Sequence, residues 1–301
     1  MKKLLQITIE VNSGSVGRIA EQIGQQVIEY GWESYITYAR NNQPSKSTTI
    51  KIGNKLDVYW HGIMTRITDK HGFYSTFATS RLIKQIKKIK PDLILLYHLH
   101  GYFINIEVLF NFLSLSKIPV VWIFHDCWSF TGHCTHFDFI GCNKWLKGCY
   151  DCEQKKEYPA SLLLDRSKKN YKEKKKLFNS VKNMTIVPVS YWLENLVKQS
   201  FLKKYPLKVI QNGIDIEIFK SSLNIDETKR KYNISNEFII LGVASRWTFQ
   251  KGIQDLIKLN DYLNSDEKII LVGLSKKQKE SLPSNIIGIE RTENVKQLAE
   301  I

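Results

Sequence analysis

Pro119-Val-Val-Trp-Ile-Phe-His-Asp126 is the stretch whose reading decides the architecture. Five apolar residues follow a proline without a polar break, and the run ends in a histidine and an aspartate. A strand with one wet face would alternate apolar and polar positions. Unbroken apolarity over so short a run marks a strand buried on both faces, as in a parallel sheet covered by helices. Asp92-Leu-Ile-Leu-Leu-Tyr97 repeats the pattern behind Pro91, where a preceding helix must stop. Leu4–Ile9 and Met184–Val189 read the same way. After a Gly/Ser turn, Val16, Ile19, Ala20, Ile23 and Val27 recur at helical spacing. Strands alternating with amphipathic helices define the α/β class.

Further along, Leu207–Gln211 reads as another strand, and a polar stretch then runs to about residue 237. A second series of strands and helices follows: Phe238–Ala244, a helix from about Gly252, Lys268–Gly273, Ile286–Ile289, and a helix from Asn294. Three strands fall short of the roughly five or six in a doubly wound half. The second half is therefore expected to be incomplete in this sequence.

The 301 residues are 43% hydrophobic and 24% charged, which suits a folded chain and excludes a disordered one. No apolar run approaches the roughly 20 residues needed to span a bilayer. The opening Met1–Glu10 lacks the long apolar region and small-residue cleavage site of a signal peptide, so a cytoplasmic location is expected. Forty-four Lys and Arg against 29 Asp and Glu give a net charge of +15, which biases the protein toward anionic partners. The densest run, Lys168–Lys176, reads as a solvated helix face or as a contact with an anionic membrane surface. It carries little of the aromatic interleaving that stacks bases, and no nucleic-acid partner is expected.

Four places could carry chemistry. Asn12-Ser-Gly-Ser-Val-Gly17 lies between the first strand and helix, where Gly14, Ser15 and Gly17 form either a tight turn or an anion site at a helix N-terminus. It lacks the spacing of the dinucleotide fingerprint. Ser245-Arg-Trp-Thr-Phe-Gln-Lys-Gly252 follows a strand, where ligands bind in open α/β sheets. There Arg246 and Lys251 either face one diphosphate or are two exposed loop cations. His125 and Asp126 stand at a strand tip and suit proton transfer, hydrogen bonding to a sugar hydroxyl, or a structural role. His98 and His100 also follow a strand and are expected to share that cleft with Trp128. The fourth place is Cys134-x7-Cys142-x6-Cys149-x2-Cys152, in an aperiodic stretch. It fits a structural zinc, or reduced thiols packed with Trp128 and Trp145, or redox chemistry or disulfides. His133 and His136 are further possible ligands, and Cys127 is left over.

Together, His125-Asp-Cys-Trp-Ser-Phe-Thr-Gly-His-Cys134, Cys149-Tyr-Asp-Cys152, Pro188-Val-Ser-Tyr-Trp-Leu193, Asn212-Gly-Ile-Asp215 and the Ser245–Gly252 loop resemble glycosyltransferase family 4, in particular its bacterial capsular and exopolysaccharide branch. The resemblance implies the GT-B fold, two Rossmann-like domains facing a cleft. These are expected over residues 1–205 (with a cysteine-rich insertion at 125–159) and 238–301, joined by a linker region at 206–237. It implies retaining transfer from a nucleotide-diphosphate sugar to a growing lipid-linked surface polysaccharide, with no metal required for catalysis. Arg246 and Lys251 would hold the donor diphosphate, while Gly14, Ser15, Gly17 and Asn212 would line the donor side. His125 would contact the transferred sugar. The family's paired glutamates, separated by seven residues, would come after Ile301. Glu293 and Glu300 lie too early to be assigned, so C-terminal truncation is expected. The charge and the implied acceptor suggest a peripheral place at the inner face of the cytoplasmic membrane. A non-catalytic nucleotide-sugar or glycan-binding protein is the alternative, and a zinc-containing nucleic-acid binder the weakest reading.

Overall fold

The computed structural model describes residues 1–221 and 225–301. The chain divides into two compact units, Met1–Asn212 and Gly213–Ile301. The expected linker region, 206–237, includes residues 222–224, which lie outside the described residues.

The first unit runs β1 (Lys3–Ile7), α1 (Gly14–Glu29), β2 (Glu33–Tyr38), β3 (Thr48–Lys51), α2 (Lys55–Thr68), α3 (Thr76–Ile89), β4 (Leu93–Leu96), α4 (Ile106–Leu115), β5 (Val120–Phe124), α5 (Ser167–Phe178), β6 (Met184–Pro188) and α6 (Tyr191–Gln199). Its strands form a parallel sheet in the order β3-β2-β1-β4-β5-β6. This is the Rossmann order, and the chain reverses direction across the sheet between β1 and β4, where ligands of such sheets bind. The apolar runs that suggested double-sided burial are the central strands. Leu5, Ile7, Ile94, Leu96 and Trp122 are buried in one core layer, and Leu4, Ile36, Leu95 and Tyr97 in the other. Trp122, Phe124, Phe110 and Phe178 make a chain of ring contacts with centroids 4.5–5.3 Å apart. The Trp122 indole N–H donates to the Tyr97 carbonyl at 2.9 Å, so the large ring is buried without an orphaned donor.

The edge differs from the expectation. Leu207–Gln211 forms no strand, and only Leu207 bridges to Ile186. Lys208 and Ile210 do donate to Ile186 and Pro188 carbonyls. Pro188 has no N–H to return, however, so the ladder cannot extend.

The second unit contains α7 (Asp226–Lys231), β7 (Phe238–Val243), α8 (Ile253–Leu259), β8 (Glu267–Val272), α9 (Lys276–Glu280), β9 (Ile286–Ile289) and α10 (Val295–Glu300). Its sheet is parallel in the order β7-β8-β9. Ile269 and Leu271 face one core layer with Trp247 and Ile253, and Ile270 and Val272 face the other with Ile289.

Candidate active site

In the first unit the loops after β4 and β5 bring the expected histidines together. His100 donates from Nε2 to Asp126 Oδ2 at 2.6 Å, and its Nδ1 lies 3.0 Å from the Tyr158 hydroxyl. The other oxygen of Asp126 accepts the Trp128 N–H at 2.9 Å. Burial disfavours charge on Asp126, but the histidine and this N–H outweigh it and hold the carboxyl well below the usual range. Both oxygens are engaged, so Asp126 orients His100 and its own loop rather than standing free as a base. His98 stacks on His100 with ring centroids 4.8 Å apart. Burial, helped by the His100 charge, pushes the His98 pKa down to about 3, so its ring is neutral.

His125 closes β5 and stacks on Tyr97 at 6.3 Å. Both its ring nitrogens are buried without a hydrogen-bond partner. Burial lowers its pKa against the opposing pull of Asp126 and of the Asn212 side chain, the last residue of this unit. A neutral imidazole beside the Asn212 side chain, at the carboxyl end of β5, has hydrogen-bonding capacity for a sugar hydroxyl.

Trp128 was expected to line the cleft, but it is 1% exposed and belongs to the core. Its ring forms the floor beneath His100 and His71, with centroids 5.9 and 5.3 Å away. Below it sits Lys174 of α5, whose Nζ lies 3.5 Å from the ring centroid and donates to the carbonyls of Trp128 (2.7 Å) and Thr131 (3.1 Å). Burial pushes this amine down to about 7. One lysine of the basic run therefore fastens the loop from inside, while Lys168, Lys169, Lys172, Lys175 and Lys176 are exposed.

The glycine turn before α1 has a neighbour that sequence reading missed. Gly14 has φ +60, and a Cβ there would come within 3.0 Å of Glu10 Oε2. Gly17 packs against the Glu10 carbonyl, where a Cβ would also meet it at 3.0 Å. The helix N-terminus thus already faces a carboxylate from its own chain, which disfavours a phosphate there and suits a hydroxyl donor. Gly14 and Ser15 are exposed, and Gly17 is buried.

The cysteine-rich stretch folds over the same unit. Cys134, Cys142, Cys149 and Cys152 line a hollow of about 20 Å³ with Phe137 and Trp145. All are free thiols, and the Gly132 N–H donates to Cys149 Sγ at 3.1 Å. Among the described residues, no three His, Cys, Asp or Glu side chains stand disposed to hold a metal ion. His133 is committed elsewhere. Its Nδ1 donates to Asp69 Oδ1 at 2.6 Å and its Nε2 lies 3.4 Å from the Glu157 carbonyl, with both ionic partners fully buried. Burial opposes its charge, yet the Asp69 carboxylate raises its pKa, as two acceptors on one ring require. His136 is exposed.

In the second unit Arg246 lines a hollow of about 560 Å³ beyond the carboxyl ends of β7 and β8, with Ser245, Gly273, Ser275, Lys277 and Gln278. Trp247 anchors this loop by donating its indole N–H to the Val272 carbonyl at 2.9 Å. Gly273, at φ +94, is a site where only glycine fits, since a Cβ would meet the Ala244 carbonyl oxygen at 1.6 Å. Lys251 sits on the short turn Phe249–Lys251, outside that lining. The hollow instead brings in Lys277, which lies 31 residues from Arg246 in sequence and carries no local motif.

Parallel α/β units with polar hollows at their strand ends are the architecture of GT-B glycosyltransferases, and solved structures of that class share the fold. Sucrose-phosphate synthase from Thermosynechococcus elongatus matches with a TM-score of 0.64 at 12% identity, covering 100% of this chain and 73% of that one. HepE from Anabaena, in complex with UDP, matches at 0.58 and 14% identity, covering 99% and 71%. The chain belongs to glycosyltransferase family 4, whose family model matches residues 16–218. A curated relative, the putative colanic acid biosynthesis glycosyl transferase WcaC of Escherichia coli (strain K12), is 24% identical over 229 residues, 71% of this chain. The chain spans 55% of that relative's length.

Proposed function

We propose that the protein is a retaining glycosyltransferase that moves a sugar from a nucleotide-diphosphate donor to a lipid-linked surface polysaccharide. The observation that carries this reading is His125, a half-buried, neutral imidazole beside the Asn212 side chain at the end of β5. In the transfer, the bond from the sugar's anomeric carbon to the diphosphate breaks, the acceptor hydroxyl oxygen bonds to that carbon from the same face, and the hydroxyl proton passes to the departing phosphate oxygen. Charge grows on the departing nucleoside diphosphate. Arg246 and Lys277 would neutralise it, with Lys251 at a distance. His125 would hold the sugar, with His98 and the His100–Asp126 pair shaping the wall beside it. The acceptor would reach the protein at the inner face of the cytoplasmic membrane. No helix among the described residues is long and apolar enough to cross a membrane, and the exposed lysines of α5 favour an anionic lipid surface.

UDP-glucose, the ligand in one HepE structure, is the first donor to try. Release of UDP that falls about 10²–10³-fold in His125→Ala supports the reading, by analogy with the loss of one transition-state hydrogen bond. Donor binding with no release by the unmodified chain would instead mark a nucleotide-sugar-binding protein.

The cysteine hollow is proposed to take a structural zinc on the donor chemistry alone, since four thiols are a suitable tetrahedral set. Metal analysis of the purified protein should find about one zinc per chain, lost in Cys149→Ser together with thermal stability. Finding none would leave the thiols as packing groups.

A further inference from the structure

A hollow of about 710 Å³ in the first unit is lined by none of the candidate active-site residues. It lies beyond the carboxyl ends of β2 and β4, and one stripe of α2 forms its wall: Lys55, Val58, Tyr59, Gly62, Ile63 and Arg66 follow helical spacing. Arg40 enters from the loop after β2, and Tyr102 from the loop after β4.

Three features mark it as built for an anion. First, the guanidinium carbons of Arg40 and Arg66 stand 5.9 and 5.8 Å from the centroid of the same Tyr102 ring, so two positive charges are held over one surface. Each is fixed by one carbonyl, Arg40 by Gly101 at 3.0 Å and Arg66 by Gly62 at 3.0 Å. Most of their N–H donors are left over. Among the described residues neither has a carboxylate within ion-pair distance, except that Arg66 and Arg40 aside Arg166 pairs with Glu173, and no acidic side chain lines the hollow. Second, the backbone is bent to present the ring, since Tyr102 has φ +67 and Gly101 φ +113. A non-glycine residue in that region is strained, and such strain persists where the surroundings hold it for use. Third, Gly62 leaves the space in which Arg66 lies, as a Cβ there would press on Arg66 Nη1 at 3.2 Å. Two planar forks with free donors match the geometry of phosphate oxygens.

The mouth of the hollow is apolar on one side. Leu56, Trp60, Ile63 and Ile67 form the neighbouring stripe of α2, with Leu56 76% and Trp60 59% exposed. The Leu162 N–H donates to the Arg66 carbonyl at 2.7 Å, which brings the exposed Leu162, Leu163 and Leu164 alongside. An exposed apolar stripe with tryptophan beside a pair of cations is suited to a lipid interface.

We infer that this hollow binds the phosphoryl group of a lipid-borne acceptor, with Arg40 and Arg66 on the phosphate and the Leu56–Ile67 stripe on the hydrocarbon. The inference rests on the transferase reading for the word acceptor, but the binding site is testable without turnover. Farnesyl diphosphate below its micelle concentration, inorganic pyrophosphate and UDP serve as separate probes in titration calorimetry of the whole chain. Farnesyl diphosphate should bind, and Arg40→Ala and Arg66→Ala should each weaken it by about tenfold or more, the usual scale of a lost charge-assisted contact. Arg66→Lys, which keeps the charge and the fold, should fall between. Trp60→Ser should weaken farnesyl diphosphate and leave pyrophosphate unchanged. UDP binding should be unaffected by all four changes and sensitive to Arg246→Ala. Farnesyl diphosphate binding that survives the Arg40→Ala, Arg66→Ala double change would overturn the site. Pyrophosphate binding as tightly as farnesyl diphosphate would overturn its lipid half. Loss of UDP binding in the unmodified chain, with farnesyl diphosphate still bound, would count against the transferase and not against this site.

Discussion

At the scale of single residues, the first unit is organised by ionisable groups that have been made to give up or keep their charge. Asp69 and His133 are fully buried and pair at 2.6 Å, and Asp69 also receives the Arg166 N–H at 2.8 Å. Asp69→Ala would remove the partner of the buried His133 ring and orphan the Arg166 N–H, and should cost about 3–5 kcal/mol of unfolding free energy in a denaturant titration. Arg246 and Lys251 separate on equally local grounds. Arg246→Ala should slow donor turnover by about 3 kcal/mol in barrier terms. Lys251→Ala, outside the hollow, should cost less, and an equal loss would restore the pairing expected from their spacing. The strand-tip residues His125 and Asp126 were legible because a polar pair after an apolar run has few other places to go. Glu10, Arg40 and Lys277 were not. Their meaning lies in contacts across the chain, such as the bond from Arg40 to Gly101 over 61 residues.

At the scale of elements, what the sequence made plain depended on burial. β4, β5 and β6 sit where both faces are covered, so their composition alone marks them. β2 reads Glu-Ser-Tyr-Ile-Thr-Tyr with polar residues interleaved, and β3 is four residues at the sheet edge. Neither has the apolar density that reveals a strand without its neighbours. The loops are held by single positions instead of by pattern. Gly273→Ala would force a Cβ into the Ala244 carbonyl and a side chain into φ +94. The second unit should lose more than the roughly 1–3 kcal/mol of backbone strain alone, seen as faster amide exchange in β7 and β8. Exchange unchanged from the parent would mean that the two strand ends are not in contact.

At the scale of the molecule, the charge excess of +15 is less informative than the places where charge is refused. His61 and His98 are both pushed down to about 3 by burial, with the Arg40 and His100 charges adding to it. The unfolded chain binds protons on both near pH 6.5 and the folded chain does not. Their contribution is therefore intact above pH 6.5 and is lost as pH falls toward 3, at about 1.4 kcal/mol per pH unit for each ring. Urea titrations from pH 7 to 4 should show this decline, and His98→Gln should make it shallower. Lys174 holds a more practical consequence. Its amine, lowered to about 7 by burial beneath Trp128, is sealed from acylating reagents and regains ordinary lysine reactivity only when uncovered. Its exposed neighbours on α5 will be tagged at once, whereas Lys174 can be tagged only while the 125–159 segment is lifted away. Mass spectrometry of that one peptide over time is thus a clock for how often the cover over the histidines comes off.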